Sequence, residues 1–386
     1  MRQIPQSLQM DRRLLVLTVG LALTLVTLAV LTVSSVGAAP SSQEVSDDTC
    51  LGCHSNEAML KVFPSGEELS LFINGSKFRV AVHGQEQVAC VDCHEAMAEI
   101  PHPEFAVQTI RDAKFQLYTV CKECHLEQYT NTLDSVHQKT LASGEENAAI
   151  CTDCHNPHTQ TRITNKDTGE ILPGAQLIIP QTCARCHSAI YDTYKESIHG
   201  SALTEEGNQY VPTCIDCHGV HNIQDPRTDL FRNETPLLCA KCHTNETIMK
   251  QYGISTNVVD TYVADFHGTT VTLFEKTDPD LPTNKPVCTD CHGIHDIKAV
   301  DDPQAGIHLK ENLLVKCQRC HPDATVNFPD SWMSHYDASP ENFPLVYYVN
   351  LFYKFLIPGV LGGMGLYVLT DIYRRFIARK KEGAHS

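Results

Sequence analysis

Tryptophan is nearly missing from this chain, with only Trp332 among 386 residues, and all aromatic residues together make up 7%. Between Cys50 and His335 there is no long apolar run. A chain this poor in large apolar side chains does not fill a conventional core around each of its segments. Basic residues are also scarce, 30 against 46 acidic ones, for a formal net charge of −16. Eight of those 30 lie in the two ends, residues 1–13 and 371–386, so the middle is more acidic still. Such a surface argues against nucleic acid and anionic lipid as partners and suits basic patches on soluble proteins. No cysteine is left over for a disulfide framework, because all 18 fall in one motif.

That motif is Cys-x-x-Cys-His, present nine times. It occurs as Cys50/Cys53/His54, Cys90/Cys93/His94, Cys121/Cys124/His125, Cys151/Cys154/His155 and Cys183/Cys186/His187. Four more follow as Cys214/Cys217/His218, Cys239/Cys242/His243, Cys288/Cys291/His292 and Cys317/Cys320/His321. Two thiols at this spacing each add across one vinyl group of a haem, and the adjacent histidine then ligates the iron. Zinc half-sites would need a second ligand pair for each motif, and disulfides would leave every motif histidine unexplained. The expectation is nine covalently bound haem c groups.

The other histidines fall into two classes. His83, His137, His199 and His267 lie between the two motifs of a pair, and His335 follows the last motif. His158, His221 and His295 each come three residues after a motif histidine, and His102 comes eight after. These nine are the candidate second axial ligands, with His308 as the spare. An iron held by two histidines exchanges electrons and has no place for substrate. The count therefore favours electron transfer over catalysis and gives no catalytic residue. An enzyme of the nitrite, hydroxylamine or tetrathionate type would need one open iron. His102, at the least regular offset, makes the Cys90–His94 motif the place to look for it.

The motifs recur as a two-motif unit. Cys183–His221 and Cys121–His158 share a plan, with 16 residues from first motif cysteine to the intervening histidine in each. Cys50–His102 and Cys239–His295 repeat it with longer inserts, and Cys317–His335 is half a unit. Short helices are expected to follow the motifs and to carry the second histidines. The insert 67–82, with Asn74-Gly75 between alternating apolar residues, reads as a β-hairpin. The segment Cys50–His335 gives roughly 32 residues per motif, so porphyrins are expected to supply the core. The fold class is mainly α with much irregular structure, one small hairpin and a C-terminal transmembrane helix.

Two apolar stretches set the location. Leu14–Val33 follows Arg2, Arg12 and Arg13, and Val36-Gly37-Ala38 offers a cleavage site, so residues 1–38 are a signal peptide or an N-terminal anchor. Residues 39–342 form the nine-haem domain. Leu345–Thr370 is long enough to span a bilayer, which makes 343–373 a membrane helix and 374–386 a basic tail. Arg374, Arg375, Arg379, Lys380 and Lys381 put that tail in the cytoplasm and the haem domain in the periplasm. Lys354 lies among Tyr347, Tyr348 and Tyr353 at the interface, and Gly359-x-x-x-Gly363 makes a thin helix face.

The Ser-x-His-Gly and Cys-His-Gly-x-His elements resemble the multihaem cytochrome c superfamily, and so does the insert from Pro64-Ser65-Gly66-Glu67 to Val82-His83-Gly84. The stretch from Tyr252-Gly253-Ile254-Ser255 to Asp265-Phe266-His267-Gly268 is similar to the nine-haem portion of cytochrome b/c quinol dehydrogenases. The resemblance spans roughly residues 45–370. It implies electron transport between the quinol pool, through a separate cytochrome b subunit, and a soluble periplasmic acceptor. The chain departs from the fused forms of that family by having one membrane helix.

Overall fold

The computed structural model describes residues 45–332 and 335–382. The N-terminal segment expected to be a signal or anchor lies outside these residues.

The chain is mostly helical, and its helices are short because each serves a motif. The first motif of a pair rides on a helix formed by the residues around it. Cys50 lies in Asp47–His54, Cys183 in Ala175–Ala184, Cys239 in Asp229–His243 and Cys317 in Lys310–Gln318. Cys121 sits in the 3-10 turn Thr119–Glu123. The second motif of each pair instead follows an extended residue and must start its own helix. These helices are a single turn: Cys90–Cys93, Cys151–Cys154, Cys214–His218 and Cys288–His292. A helix that short is nucleated by its cap. All four carry Asp before the second cysteine. Asp92, Asp153, Asp216 and Asp290 accept the N–H of Ala89, Ile150, Thr213 and Val287 at 2.6–3.0 Å.

The histidines between motifs sit second in their helices. Val82–Gln85 carries His83, Val136–Ala142 carries His137, Ile198–Thr204 carries His199, and Phe266–Thr277 carries His267. Ser135 and Ser197 cap two of them, and Asp265 caps the last. Glycine follows three of these histidines for a steric reason. A Cβ on Gly84, Gly200 or Gly268 would lie 1.8–2.1 Å from the carbonyl oxygen of Phe78, Tyr194 or Tyr262. Gln138 takes that place after His137, and the structure does not explain the exception.

The hairpin exists, but upstream of its expected place. Strand β1, Leu60–Val62, pairs antiparallel with β2, Glu68–Ser70, with Leu60 opposite Ser70. The reversal is Pro64-Ser65-Gly66, where Gly66 has a φ of +87°. Asn74-Gly75 is not a turn. The Asn74 side chain accepts the Lys77 N–H at 3.0 Å and caps the helix Gly75–Val80. A short amide side chain that suits a turn suits an N-cap equally well, and here the cap wins.

The polypeptide builds little core of its own. One cluster joins Phe63, Val107 and Ala113, with Leu69, Phe105 and Ile110 packed against it. Elsewhere single side chains such as Leu203, Val271 and Val287 are fully buried, while Val80, Ile100, Phe266 and Ile294 are well exposed. The last helix, Pro344–Glu382, runs 39 residues and continues through the basic cluster that was expected to form a separate tail. Its portion Pro344–Ile377, with mean hydropathy 1.6 and no residue buried, is long and apolar enough to cross a membrane.

Candidate metal centres

The structure brings each motif histidine opposite one of the nine second histidines. The pairs are His54–His102, His94–His158, His125–His83, His155–His221 and His187–His137. The remaining four are His218–His295, His243–His199, His292–His335 and His321–His267. Each histidine is used once. The ring centres stand 6.0–6.4 Å apart in all nine. That spacing has a direct chemical meaning. A metal–imidazole bond of about 2 Å, with about 1.1 Å more from nitrogen to ring centre, puts two rings on one metal about 6.2 Å apart. His308 faces no other histidine ring among the described residues.

Neighbouring groups orient the rings for this. The Nδ1–H of His54 donates to the Leu71 carbonyl at 2.9 Å, that of His83 to Pro157 at 3.0 Å, and that of His102 to Glu99 at 2.9 Å. His267 Nδ1 meets Asp265 Oδ1 at 2.9 Å. A ring whose Nδ1 carries the proton has its lone pair on Nε2, the nitrogen that then serves as ligand. Burial, aided by neighbouring histidines, also holds His158, His199 and His292 down to about 4, so they are neutral at pH 7.

The pairs cross between consecutive units. Within the row, the helix-borne histidine of one unit faces the first motif of the next: His83 meets His125, His137 meets His187, His199 meets His243, and His267 meets His321. The histidine after a second motif reaches back to the second motif of the unit before: His158 meets His94, His221 meets His155, and His295 meets His218. Sequence proximity suggested neither rule. The ends break them. His102 faces His54 of its own unit, so the Cys90–His94 motif is not the one it serves, and His335 closes on His292.

Backbone bonds fix the same crossings. Val82 N–H donates to Gln160 O at 2.8 Å, Val136 to Ile223 at 2.7 Å, and Ile198 to Ile297 at 2.8 Å. Each of these bonds joins the residue before one second histidine to the residue two after another.

The motifs also follow one another in space in their sequence order. The first thiols of a pair lie beside one another, close enough to interact: Cys50 and Cys90, Cys121 and Cys151, Cys183 and Cys214, and Cys239 and Cys288. The second thiol of each pair's second motif lies within electrostatic reach of the next unit: Cys93 near Cys121, Cys154 near Cys183, Cys217 near Cys239, and Cys291 near Cys317. The nine motifs thus form one unbranched succession.

The two thiols of most motifs differ in exposure. Every first cysteine is half-buried, whereas Cys53, Cys93, Cys124, Cys154, Cys186, Cys217 and Cys320 are exposed. Of the second cysteines only Cys242 and Cys291 are half-buried. The polypeptide therefore does not enclose the candidate attachment points at Cys53, Cys124, Cys186 and Cys320, which all belong to the leading motif of a unit. Cys93, Cys154 and Cys217 of the trailing motifs are exposed in the same way, so the contrast follows the position of the thiol within its motif.

Comparison with protein-family models, curated proteins and solved structures returned no match. The chemistry is therefore argued from the site alone. Each pair offers two nitrogen donors with two thiols beside them. Among the described residues no group of three or more His, Cys, Asp or Glu side chains converges as a metal site. A metal held here must bring most of its own coordination. An iron in a planar tetradentate ring tethered by two thioethers fits that donor set, and bare zinc, which takes four protein ligands in structural sites, does not.

Proposed function

We propose that this chain is a membrane-anchored nine-haem c-type cytochrome that relays electrons along its length. The observation that carries the reading is the one-to-one facing of nine motif histidines with nine others at 6.0–6.4 Å. In each site the two cysteines would attach the group, the motif histidine would ligate from one side and the facing histidine from the other. Bound there, haem supplies a one-electron carrier. The thinness of the polypeptide core supports the same reading, since nine porphyrins would fill space that side chains do not. The protein's contribution is to hold both imidazoles at fixed distance and tautomer, so that little rearranges when charge changes.

The unbranched succession makes the Cys50 and Cys317 sites the two ends of the relay. The Cys317 end is the nearer in sequence to the helix Pro344–Glu382, so electrons enter there from the membrane. The donor is a quinol-oxidising cytochrome b subunit, and the acceptor a soluble periplasmic redox protein with a basic docking patch. The basic residues that close the last helix favour a cytoplasmic C-terminal end, with the haem region outside.

The test is a haem count by pyridine haemochrome with low-temperature EPR of the oxidised protein. Nine haems per chain, predominantly low-spin, are expected. Metal without porphyrin, or fewer than nine attachment sites in use, overturns the reading.

A further inference from the structure

The nine pairs are not equally held. Eight of the second histidines are at least partly buried, and His102 is exposed. The difference has a structural source. His83, His137, His199 and His267 stand on capped or hydrogen-bonded helices. His158, His221 and His295 are loop residues, but each is fastened two residues later, where Gln160, Ile223 and Ile297 accept a backbone bond from the preceding unit. His335 is fastened at the same offset by Asn257 Nδ2, which donates to Asp337 Oδ2 at 2.9 Å. At the corresponding place after His102 stands Glu104, which makes no backbone hydrogen bond among the described residues.

The loop around His102 is tied only at its ends. Ala98 N–H donates to Glu95 at 3.1 Å on one side, and Phe105 packs on the Phe63–Val107 cluster on the other. In between, the ring's own fastening is a bond from Nδ1 to the Glu99 carbonyl, which moves with the loop. The facing His54 is fixed elsewhere, in the helix Asp47–His54 and by Leu71. Among the described residues no motif precedes Cys50, and His102 has no earlier unit there to dock against.

We propose that the His54–His102 pair is the one that opens, His102 swinging away to leave a place opposite His54 for a small exogenous ligand. The ligand class is a neutral diatomic, for which a site beside an exposed loop needs no channel. Exchange is a simple substitution in which one nitrogen donor leaves and one ligand enters, with no electron transferred. The inference rests on the haem reading above and puts the open site at the first motif, at the end of the relay away from the membrane helix.

Carbon monoxide is the probe, used on the full-length reduced protein whose haem count has first been measured. One equivalent of carbon monoxide per nine haems is expected, with His102→Ala taking up the same equivalent about five-fold faster or more, since no side chain need leave first. Should His102→Ala fail to fold, Pro103→Gly, which loosens only the loop, speeds uptake in the same direction. No uptake by protein carrying nine haems overturns this inference and leaves the relay standing, as does uptake whose rate neither variant changes. A haem count below nine counts against the relay itself.

Discussion

Replacing Gly200 by alanine tests the geometry of one pair in isolation. The new Cβ would lie 1.8 Å from the Tyr194 carbonyl oxygen, 2.5 Å from its carbon and 2.9 Å from the Lys195 Cα. All three are backbone atoms, so no side chain can turn away. A carbon–oxygen contact needs about 3.3 Å, so the helix Ile198–Thr204 must retreat by about 1.5 Å. A metal–ligand bond tolerates about 0.2 Å, and His199 rides on that helix facing His243. The retreat also strains the cap, in which Ser197 Oγ donates to Tyr194 O at 2.7 Å and accepts Gly200 N–H at 3.0 Å. Overpacking of this kind costs about 1–3 kcal/mol, and a backbone clash sits at the upper end. On haem-loaded protein, Gly200→Ala is expected to turn one iron in nine high-spin by EPR, lower the Tm by several degrees and leave the covalent haem count at nine. Gly359→Ala, whose Cβ meets nothing within 4 Å, changes neither the spectrum nor the count. A Gly200→Ala protein with wild-type EPR and Tm would refute the argument that close helix approach sets the His199–His243 distance.

Asp216→Asn removes the carboxylate that accepts Thr213 N–H at 2.6 Å and Thr213 Oγ1 at 2.8 Å, weakening the one-turn helix that presents Cys214 and Cys217. Loss of such a cap costs about 1 kcal/mol, and intact mass is expected to show a fraction of chains one haem short. Removing residues 344–382, with residues 1–44 replaced by a cleavable leader, yields protein that fractionates as soluble with its haem spectrum unchanged. A membrane-bound product would refute the anchoring role of the last helix. Acid titration reads a local contribution. Asp225 is lowered to about 2 by hydrogen bonds and charge from Arg227. Its contribution is therefore complete above the ordinary carboxylate range and disappears as pH falls toward 2, and being surface-exposed it amounts to less than about 1 kcal/mol. Arg227→Met is expected to flatten the stability profile over that window while leaving stability differences elsewhere constant.

Much of the candidate site was legible in the sequence because the Cys-x-x-Cys-His motif gathers its residues close together in the chain. The nine motifs needed only their spacing, and the nine second histidines stood out by repeated offsets. All nine face a motif histidine, and His308, the one set aside, faces none. The partnership was not legible, since it crosses between units and no local pattern encodes which helix docks on which loop. His102 shows the cost of reasoning by nearness along the chain: it lies closer in sequence to His94 than to His54, yet faces His54. Nor does spacing reveal that Cys53, Cys124, Cys186 and Cys320 stand in the open while Cys50, Cys121, Cys183 and Cys317 are half-buried, because that contrast comes from packing between segments. The hairpin was recognised and misplaced, because Asn74 carries a signal shared by turns and helix caps. The four aspartates of the second motifs were overlooked. Their restriction to motifs not already carried on a longer helix was the available sign.

The crossed pairing also fixes how a chain of this kind can change length. Excising one interior unit and rejoining its neighbours would leave a helix-borne histidine still facing the next first motif, and a loop-borne one still facing the previous second motif. Whole units can be added or lost without orphaning a site, two sites at a time. A cut within a unit strands a histidine on each side of it. The odd ninth site exists only because the two ends close by their own means, His102 folding back at one and His335 reaching across at the other.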